Sequence, residues 1–400
     1  MQRMTRELAI LGGSPAFADP LHVGRPNLPD RGTIEKYFGE ILDRVWLTND
    51  GPFVRSFEDA LREVTGAAEC VAVCNATIGL QLLQRAIALS GNVIVPSFTF
   101  VATPHSLQWQ GISPRFGDID PETHQLRPAS AEHRIDAETS ALMPVHLWGD
   151  AVDTDEFESM SRRHGLPLIF DAAHGLGVVR NGRRVGTFGL AEVFSFHATK
   201  LVNSFEGGAI STNDASLAEE LRHMRNFGFA GYDTVACLGT NAKMSEPSAA
   251  MGLASLAELD ATIAHNRTIF AAYQQAFKEM DGLRLRMSSA SVESNCQYVV
   301  TLVEPSSGLR RDELVTALHA EGVLARRYFY PGCHQMEPYR TLMPDERAHL
   351  VVTEQIADAV LVLPTGRSMS AAIAGRVAEV IAELNENAPA VRAALQGVAG

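Results

Sequence analysis

Short apolar runs alternate with amphipathic stretches through the first 250 residues of the chain. Six runs have the length and composition of buried β-strands, at residues 70–73, 92–95, 141–147, 167–170, 193–196 and 209–212. Helical patterns lie between them, for example at residues 78–89 and 154–163. Strands that alternate with helices form parallel sheets covered on both faces, so this pattern predicts an α/β domain with a mostly parallel mixed sheet between helices.

The pattern changes after residue 258, where a long helical stretch runs to about residue 280. Apolar runs at 297–303 and 323–328 and helical patterns at 311–321 and 371–384 follow it. We therefore predict a large domain over residues 31–258 and a smaller C-terminal α+β domain over residues 259–390. Prolines and a Gly-Gly pair predict an extended arm over residues 1–30. Residues 385–400 show no clear periodicity, and we expect them to fray, with residues 391–400 as a tail.

Composition restricts the class of protein. Of the 400 residues, 46% are hydrophobic and 20% are charged, which is typical of a globular protein. A net charge of -13 argues against a nucleic-acid partner, because no basic stripe is present to contact phosphates. The five cysteines are dispersed, and no tight Cys/His cluster predicts a metal site. No signal-peptide core and no run of about 18 apolar residues is present, so we expect no membrane contact and a cytoplasmic location.

Two polar residues that follow predicted strands give the first indication of chemistry. Lys200 ends the stretch 191–200, and Asp171 ends an apolar run that begins at residue 166. Taken singly, such a lysine is usually a solvated charge, and such an aspartate usually forms a turn or caps a helix. Together they suggest pyridoxal phosphate (PLP), which needs a lysine for the Schiff base and an aspartate for the pyridinium nitrogen. Both fall at carboxyl ends of strands, where ligands of parallel sheets bind.

Further sequence blocks extend along nearly the whole chain. They are Leu47-Thr-Asn-Asp-Gly51-Pro52, Cys74-Asn-Ala-Thr77, Val95-Pro-Ser-Phe-Thr-Phe100-Val-Ala-Thr103, Pro144-Val-His-Leu-Trp-Gly149, Asp171-Ala-Ala-His174, Ser195-Phe-His-Ala-Thr-Lys200, Glu206-Gly-Gly208, Gly239-Thr-Asn241-Ala-Lys243-Met-Ser-Glu246 and Tyr330-Pro-Gly-Cys-His334. In their order and spacing these blocks resemble the DegT/DnrJ/EryC1/StrS sugar aminotransferases, which are PLP-dependent enzymes of fold type I. The resemblance implies the fold of that family, with the cofactor in the large domain.

The resemblance also implies which residues bind the cofactor. Lys200 would form the Schiff base, and Asp171 would pair with the ring nitrogen. Thr77, the Ile78 amide and the Ser195 hydroxyl would hold the phosphate at a helix N-terminus, where the helix dipole favours an anion. Thr77 could instead merely cap its own helix.

Three further cofactor contacts follow from the same resemblance. Phe100 would stack on the pyridine ring, although a phenylalanine in an apolar stretch more often packs in the core. His174 stands where many members carry Gln near the ring hydroxyl, so the partner of that hydroxyl is open. Asn241, in a segment that could also be a solvated loop, would reach the phosphate of the other subunit. A homodimer with shared active sites is the consequence.

Four residues are candidate substrate contacts by the same comparison. They are His197, Lys243, Tyr330 and His334. His197 could equally support the structure, and Lys243 could lie in a solvated loop. Tyr330 and His334 belong to a polar, aromatic stretch of the second domain, together with Arg326 and Arg327.

The predicted function is a PLP-dependent aminotransferase that transfers an amino group, by family habit from L-glutamate, to a nucleotide-linked keto-deoxysugar. C4 of dTDP-4-keto-6-deoxyglucose is the favoured acceptor. Amination at C3 of a 3-keto-deoxysugar nucleotide, or of a cyclitol ketone, remains an alternative. Sugar dehydratases of the family carry His in place of the Schiff-base lysine, and Lys200 argues against them. A PLP-binding regulator without turnover is a remote alternative, because no segment remains for a DNA-binding domain.

Overall fold

The computed structural model describes residues 6–398. Its helices are α1 Arg31–Arg44, α2 Pro52–Thr65, α3 Ala76–Ala86, α4 Ala102–Gln108, α5 Pro128–His133, α6 Thr154–His164, α7 Ala215–Met224, α8 Glu246–Leu256, α9 Leu259–Phe277, α10 Arg311–Ala320, α11 Tyr339–Leu342, α12 Val351–Ala359, α13 Ala371–Glu386 and α14 Ala388–Val398. Its strands are β1 Leu21–His22, β2 Glu69–Val73, β3 Asn92–Pro96, β4 Ser113–Gly117, β5 Thr139–Leu142, β6 Ile169–Asp171, β7 Val179–Arg180, β8 Arg183–Arg184, β9 Ala191–Ser195, β10 Gly208–Thr212, β11 Leu283–Leu285, β12 Val292–Glu293, β13 Val299–Val303, β14 Val323–Leu324 and β15 Val360–Leu363. None of the described helices is long and apolar enough to cross a membrane.

The large domain is built on one mixed sheet in the order β4-β3-β5-β6-β9-β10-β2. Strands β4, β3 and β5 pair in parallel, as do β6 and β9, and β10 runs antiparallel to both of its neighbours. Parallel bridges from Leu142 to Leu168 and from Val145 to Asp171 join the two halves. The predicted α/β fold with a mostly parallel mixed sheet is confirmed, and β10 is its antiparallel member.

Helices cover both faces of this sheet because consecutive strand residues point in opposite directions. In β9, Val193 packs into one hydrophobic cluster and Phe194 into the other. Neighbouring β6 repeats the pattern with Ile169 and Phe170. All four side chains are buried, which explains why these strands appear in the sequence as unbroken apolar runs.

The small domain contains the antiparallel sheet β11-β13-β15 with α9, α10, α13 and α14 around it. Helix α9 connects it to the large domain. Leu259 and Ile263 of this helix belong to the large-domain core, and Ile269 and Tyr273 belong to the small-domain core. The helix of 19 residues therefore crosses between the two cores over about 28 Å. The domain boundary at residue 258 stays a prediction.

The N-terminal arm packs on the small domain. Strand β1 pairs in parallel with β14, with Leu21 opposite Val323. The carboxylate of Glu321 accepts hydrogen bonds from the backbone amides of Ala9 at 2.7 Å and Ala16 at 2.9 Å. The arm is thus held by a small-domain carboxylate and by strand pairing.

The prediction that residues 385–400 fray is wrong for the described part of that segment. Residues 388–398 form helix α14, and Val391 is fully buried against the small domain. Ala388 and Leu395 pack on the same side, at the spacing of an amphipathic helix. Alanines occupy exposed as well as buried positions of this helix, and Pro389 lies in its first turn, so the apolar face was not recognised in the sequence.

Candidate active site

The predicted lysine and aspartate lie at the same edge of the sheet. Strands β6 and β9 are parallel neighbours, and Asp171, the last residue of β6, is opposite Val193. Lys200 follows β9 by five residues, in a turn closed by its amide donating to the carbonyl of His197 at 2.8 Å. Burial lowers the pKa of Lys200 to about 8, and the nearby charge of Asp171 opposes this shift.

Both carboxylate oxygens of Asp171 accept hydrogen bonds within the chain. The hydroxyl of Thr103 donates to Oδ2 at 2.7 Å, and the amide of Ala173 donates to Oδ1 at 3.0 Å. The Thr103 hydroxyl also lies 3.1 Å from that of Thr99. Asp171 is 6% exposed, so these contacts fix a buried carboxylate in one orientation.

His174 is buried beside the lysine, and its surroundings define its tautomer. The amide of Trp148 donates to Nδ1 at 3.4 Å, which leaves the proton on Nε2. Nε2 lies 3.4 Å from the Tyr298 hydroxyl. Burial and the positive charge of Lys200 hold the pKa of His174 well below its usual range. His174 is therefore a neutral imidazole that offers one N–H donor.

The helix that was predicted to hold a phosphate begins earlier than expected. Helix α3 starts at Ala76 rather than Ile78, and Asn75 is its N-cap. The Ile78 amide, a predicted phosphate donor, already donates to Asn75 Oδ1 at 2.9 Å. In this structure the Ile78 amide is thus paired within the chain, whereas Thr77 lies half-buried in the first turn. Ser195, the third predicted phosphate contact, ends β9 at the same sheet edge.

Phe100 is not part of the core. It follows β3 directly, and 60% of its side chain is exposed. An exposed aromatic ring of this size at the carboxyl end of a strand suits the predicted stacking role and removes the core-packing alternative.

The segment of Asn241 and Lys243 runs along the edge strand β2. The amide of Cys74 donates to the Ala242 carbonyl at 2.8 Å, and Lys243 bridges to Val73. Asn241 is exposed, and the ammonium group of Lys243 lies 4.5 Å from the centre of the Phe227 ring. Burial and the neighbouring Arg225 lower the pKa of Lys243.

The predicted substrate contacts fall into two groups. His197 and Tyr330 are exposed. The His197 ring forms a hydrogen bond with the Thr199 hydroxyl at 2.9 Å. The guanidinium group of Arg311 lies 4.7 Å from the centre of the Tyr330 ring. His334 differs, because only 3% of it is exposed and both ring nitrogens have partners. Nδ1 lies 2.7 Å from the Ser97 hydroxyl and Nε2 lies 3.4 Å from Glu354. His334 therefore joins its segment to the end of β3, and its predicted substrate contact stays a prediction.

Three residues of the site were not predicted to belong to it. Thr103 and Tyr298 act on Asp171 and His174 from 68 and 124 residues away along the chain. Thr103 and Trp148 each lie in one of the sequence blocks, but no role in the site was predicted for either. Within residues 6–398, no three His, Cys, Asp or Glu side chains are grouped as a metal site.

Comparison with known proteins decides the class of this site. A model of the DegT/DnrJ/EryC1/StrS aminotransferase family matches residues 30–382. The chain belongs to this family. The aminotransferase is 35% identical over 373 residues to the dTDP-4-amino-4,6-dideoxy-D-glucose transaminase of Shigella dysenteriae, with 91% of this chain and 99% of that protein covered. It is 32% identical over 363 residues to the GDP-perosamine synthase of Caulobacter vibrioides, with 89% and 96% covered.

Solved structures give the same result for the fold of the aminotransferase. DesI, determined in the presence of its TDP-sugar product, matches with a TM-score of 0.91 and 45% identity over 98% of both chains. PseC of Helicobacter pylori, involved in the biosynthesis of pseudoaminic acid, matches with a TM-score of 0.86 and 26% identity, with 92% of this chain and all of that chain covered. The predicted family, the aminotransferase fold and the assignment as an enzyme are confirmed.

Proposed function

We propose that this aminotransferase uses PLP to transfer an amino group from L-glutamate to C4 of dTDP-4-keto-6-deoxyglucose. Two relatives named dTDP-4-amino-4,6-dideoxy-D-glucose transaminase, from Shigella dysenteriae and Escherichia coli, align with about nine tenths of the chain and support this acceptor. The DesI structure, determined with its TDP-sugar product, supports the same class of nucleotide. The donor follows from the resemblance of the sequence blocks to the family.

The described residues fit PLP. Lys200 supplies a primary amine, Asp171 a fixed carboxylate for the ring nitrogen, and Phe100 an exposed ring for stacking. The first turn of α3 with Thr77, and Ser195 beside it, offer donors for a phosphate. When bound, PLP supplies a cationic ring that withdraws electrons from the carbon bearing the amino group.

Lys200 is the group that moves the proton in this proposal. With a pKa of about 8, roughly one tenth of the amine is neutral at pH 7, against less than a thousandth for an ordinary lysine. A neutral amine can take a proton from the carbon that carries the amino group. As an ammonium group it can then return a proton to the carbon on the other side of that nitrogen. Burial is the cause of this shift, because it disfavours the charged form.

Asp171 and His174 have complementary tasks in the proposal. The Asp171 carboxylate, held by Thr103 and Ala173, stabilises positive charge on a bound ring nitrogen. Nε2–H of His174 is the donor for the ring hydroxyl, in the place where many family members carry Gln. The single observation that most supports this function is the placement of Asp171 and Lys200. Asp171 ends β6, and Lys200 lies in the turn after β9, the parallel neighbour of β6.

Mass analysis of products tests the proposed acceptor. The pyridoxamine phosphate form of the enzyme is incubated with dTDP- and GDP-linked 4-keto-6-deoxyhexoses, a 3-keto nucleotide sugar and a cyclitol ketone. We expect amination of the dTDP-linked 4-keto sugar. Product from the 3-keto sugar or the cyclitol alone would contradict the C4 assignment, and product from the GDP sugar alone would contradict the nucleotide.

Borohydride reduction tests the role of Lys200 separately. Reduction of the PLP-loaded enzyme is expected to fix the cofactor to Lys200, and Lys200→Ala is expected to bind cofactor without being labelled or turning over. Labelling of a different lysine in an active Lys200→Ala enzyme would show that the assignment is wrong.

A further inference from the structure

A row of aromatic rings leads from His174 to the surface of the small domain. His174, whose pKa is lowered in part by the charge of Lys200, lies against Tyr298 with 4.8 Å between ring centres. Tyr298 meets Tyr328 edge to face at 6.4 Å. The guanidinium group of Arg326 lies 5.3 Å from the centre of the Tyr328 ring. We call His174, Tyr298 and Tyr328 the aromatic row; Arg326 stands at its outer end.

Arg326 is exposed and forms no ion pair with a carboxylate among residues 6–398. Its backbone is nevertheless fixed: its amide donates to the Val362 carbonyl at 3.0 Å and its carbonyl accepts from the Val362 amide at 2.8 Å. The ring of Tyr328 supports the guanidinium group by a cation–π contact. Arg326 is thus held at its backbone and at its guanidinium group, and no carboxylate of residues 6–398 pairs with its N–H donors. Such an arginine is suited to bind an anion from solution.

The neighbouring arginines are engaged within the chain, which sets Arg326 apart. Arg327 donates to Asp312 at 2.9 Å and lies over Tyr330. Arg311 is buried and donates to the carbonyls of Ala357 and Val360 at 2.7 Å and 3.1 Å. Arg327 is therefore paired with a carboxylate and Arg311 with backbone carbonyls, whereas the guanidinium group of Arg326 has neither kind of partner among residues 6–398.

We propose that Arg326 is a specificity-determining residue that binds an oxyanion of a substrate, with Tyr328 as its platform. The inference rests on the proposed function, which supplies two substrates with oxyanions: the amino donor with its carboxylates and the sugar nucleotide with its diphosphate. A guanidinium fork makes two parallel hydrogen bonds to either group.

Direct binding measurements on the PLP-loaded enzyme test the proposal and separate the two sources. Calorimetry is run with dTDP and GDP, which carry the diphosphate without a keto group, and with glutarate, a dicarboxylate without an amine. We expect Arg326→Ala to weaken binding of one class about 10- to 100-fold, the loss typical of a charged hydrogen-bonding partner. Loss for the nucleotides identifies the diphosphate, and loss for glutarate identifies the donor.

Matched variants make the result specific. Arg326→Lys keeps the charge but not the fork, and we expect an intermediate loss; Tyr328→Leu removes the platform, and we expect a smaller loss for the same ligand. Arg327→Ala removes an adjacent, carboxylate-paired arginine, and we expect affinities within about twofold of the wild type. Unchanged binding of all ligands by Arg326→Ala, or an equal loss in Arg327→Ala, would overturn the proposal. These measurements need no turnover, so a failure of the enzyme to aminate keto sugars refutes the proposed function without deciding this one.

Discussion

Asp171 owes its orientation to a residue that the sequence did not identify. The Thr103 hydroxyl holds Oδ2 at 2.7 Å in a buried setting, so its removal leaves one carboxylate oxygen without a partner. Thr103 ends one of the sequence blocks, but the sequence does not indicate this contact. The contact joins residues that are 68 positions apart and depends on how α4 packs over the sheet. The strand-end position of Asp171 was predictable, whereas the group that orients it was not.

Replacing Thr103 by Val tests this positioning role. The variant keeps the shape of the side chain and loses the donor, and we expect turnover to fall about 10- to 100-fold with little change in KM, as for a lost hydrogen bond to a charged group. Thr103→Ser restores the hydroxyl and is expected to recover most of the turnover. Equal turnover in the Val variant and the wild type would argue against any role of Thr103.

The lowered pKa of Lys200 predicts an unusual pH dependence in the cofactor-free enzyme. Only the neutral amine reacts with an acylating or arylating reagent, so labelling of Lys200 is expected to be half-maximal near pH 8 rather than near 10.5. Asp171→Asn removes the charge that raises this pKa, so its midpoint is expected to shift to lower pH. Peptide mapping after labelling at each pH gives the midpoint, and a midpoint near 10.5 would show that Lys200 is solvated.

At the scale of elements, strands were predicted better than the ends of helices. The runs 209–212 and 70–73 match β10 and β2 to one residue each, and every residue of the two runs is buried. The prediction placed the start of α3 two residues late, since the capping oxygen of Asn75 was not recognised as its signal. Helix α14 was missed altogether because alanines lie on its exposed as well as its buried side and Pro389 lies in its first turn.

Helix α2 begins on a buried carboxylate, which predicts a large effect of one substitution. Glu246 accepts from the amides of Phe53 and Val54, both at 2.9 Å, and is 1% exposed. Glu246→Ala leaves two buried amides of the first turn unpaired, and we expect a loss of about 2–4 kcal/mol in the free energy of unfolding. Urea denaturation measures it. Glu246→Gln keeps one acceptor and is expected to lose less; equal losses would contradict the two-bond account.

At the scale of the whole molecule, the predicted homodimer with shared sites gives the sharpest test. Asn241 is exposed on this chain and was predicted to reach the phosphate in the other subunit. Lys200→Ala and Asn241→Asp are each expected to be defective, the second because a carboxylate repels the phosphate. Co-expression is expected to restore activity, since one site of each heterodimer then combines an intact Lys200 with an intact Asn241.

The control is co-expression of two differently tagged copies of the Lys200→Ala variant, which is expected to remain inactive. Affinity purification on both tags isolates the heterodimers before assay. Purified heterodimers of the two variants without recovered activity would mean that Asn241 serves the site of its own chain or none.

The pairing of β1 with β14 has a consequence for synthesis on the ribosome. Leu21 is made about 300 residues before its partner Val323. At ordinary elongation rates that interval lasts about 15 to 60 s. During this time the large domain is synthesised, while Leu8 and Leu21 are without the core that later buries them. The arm is therefore the segment of the nascent chain that we expect a chaperone to bind longest. Its apolar residues become buried only when the small domain folds and packs against them.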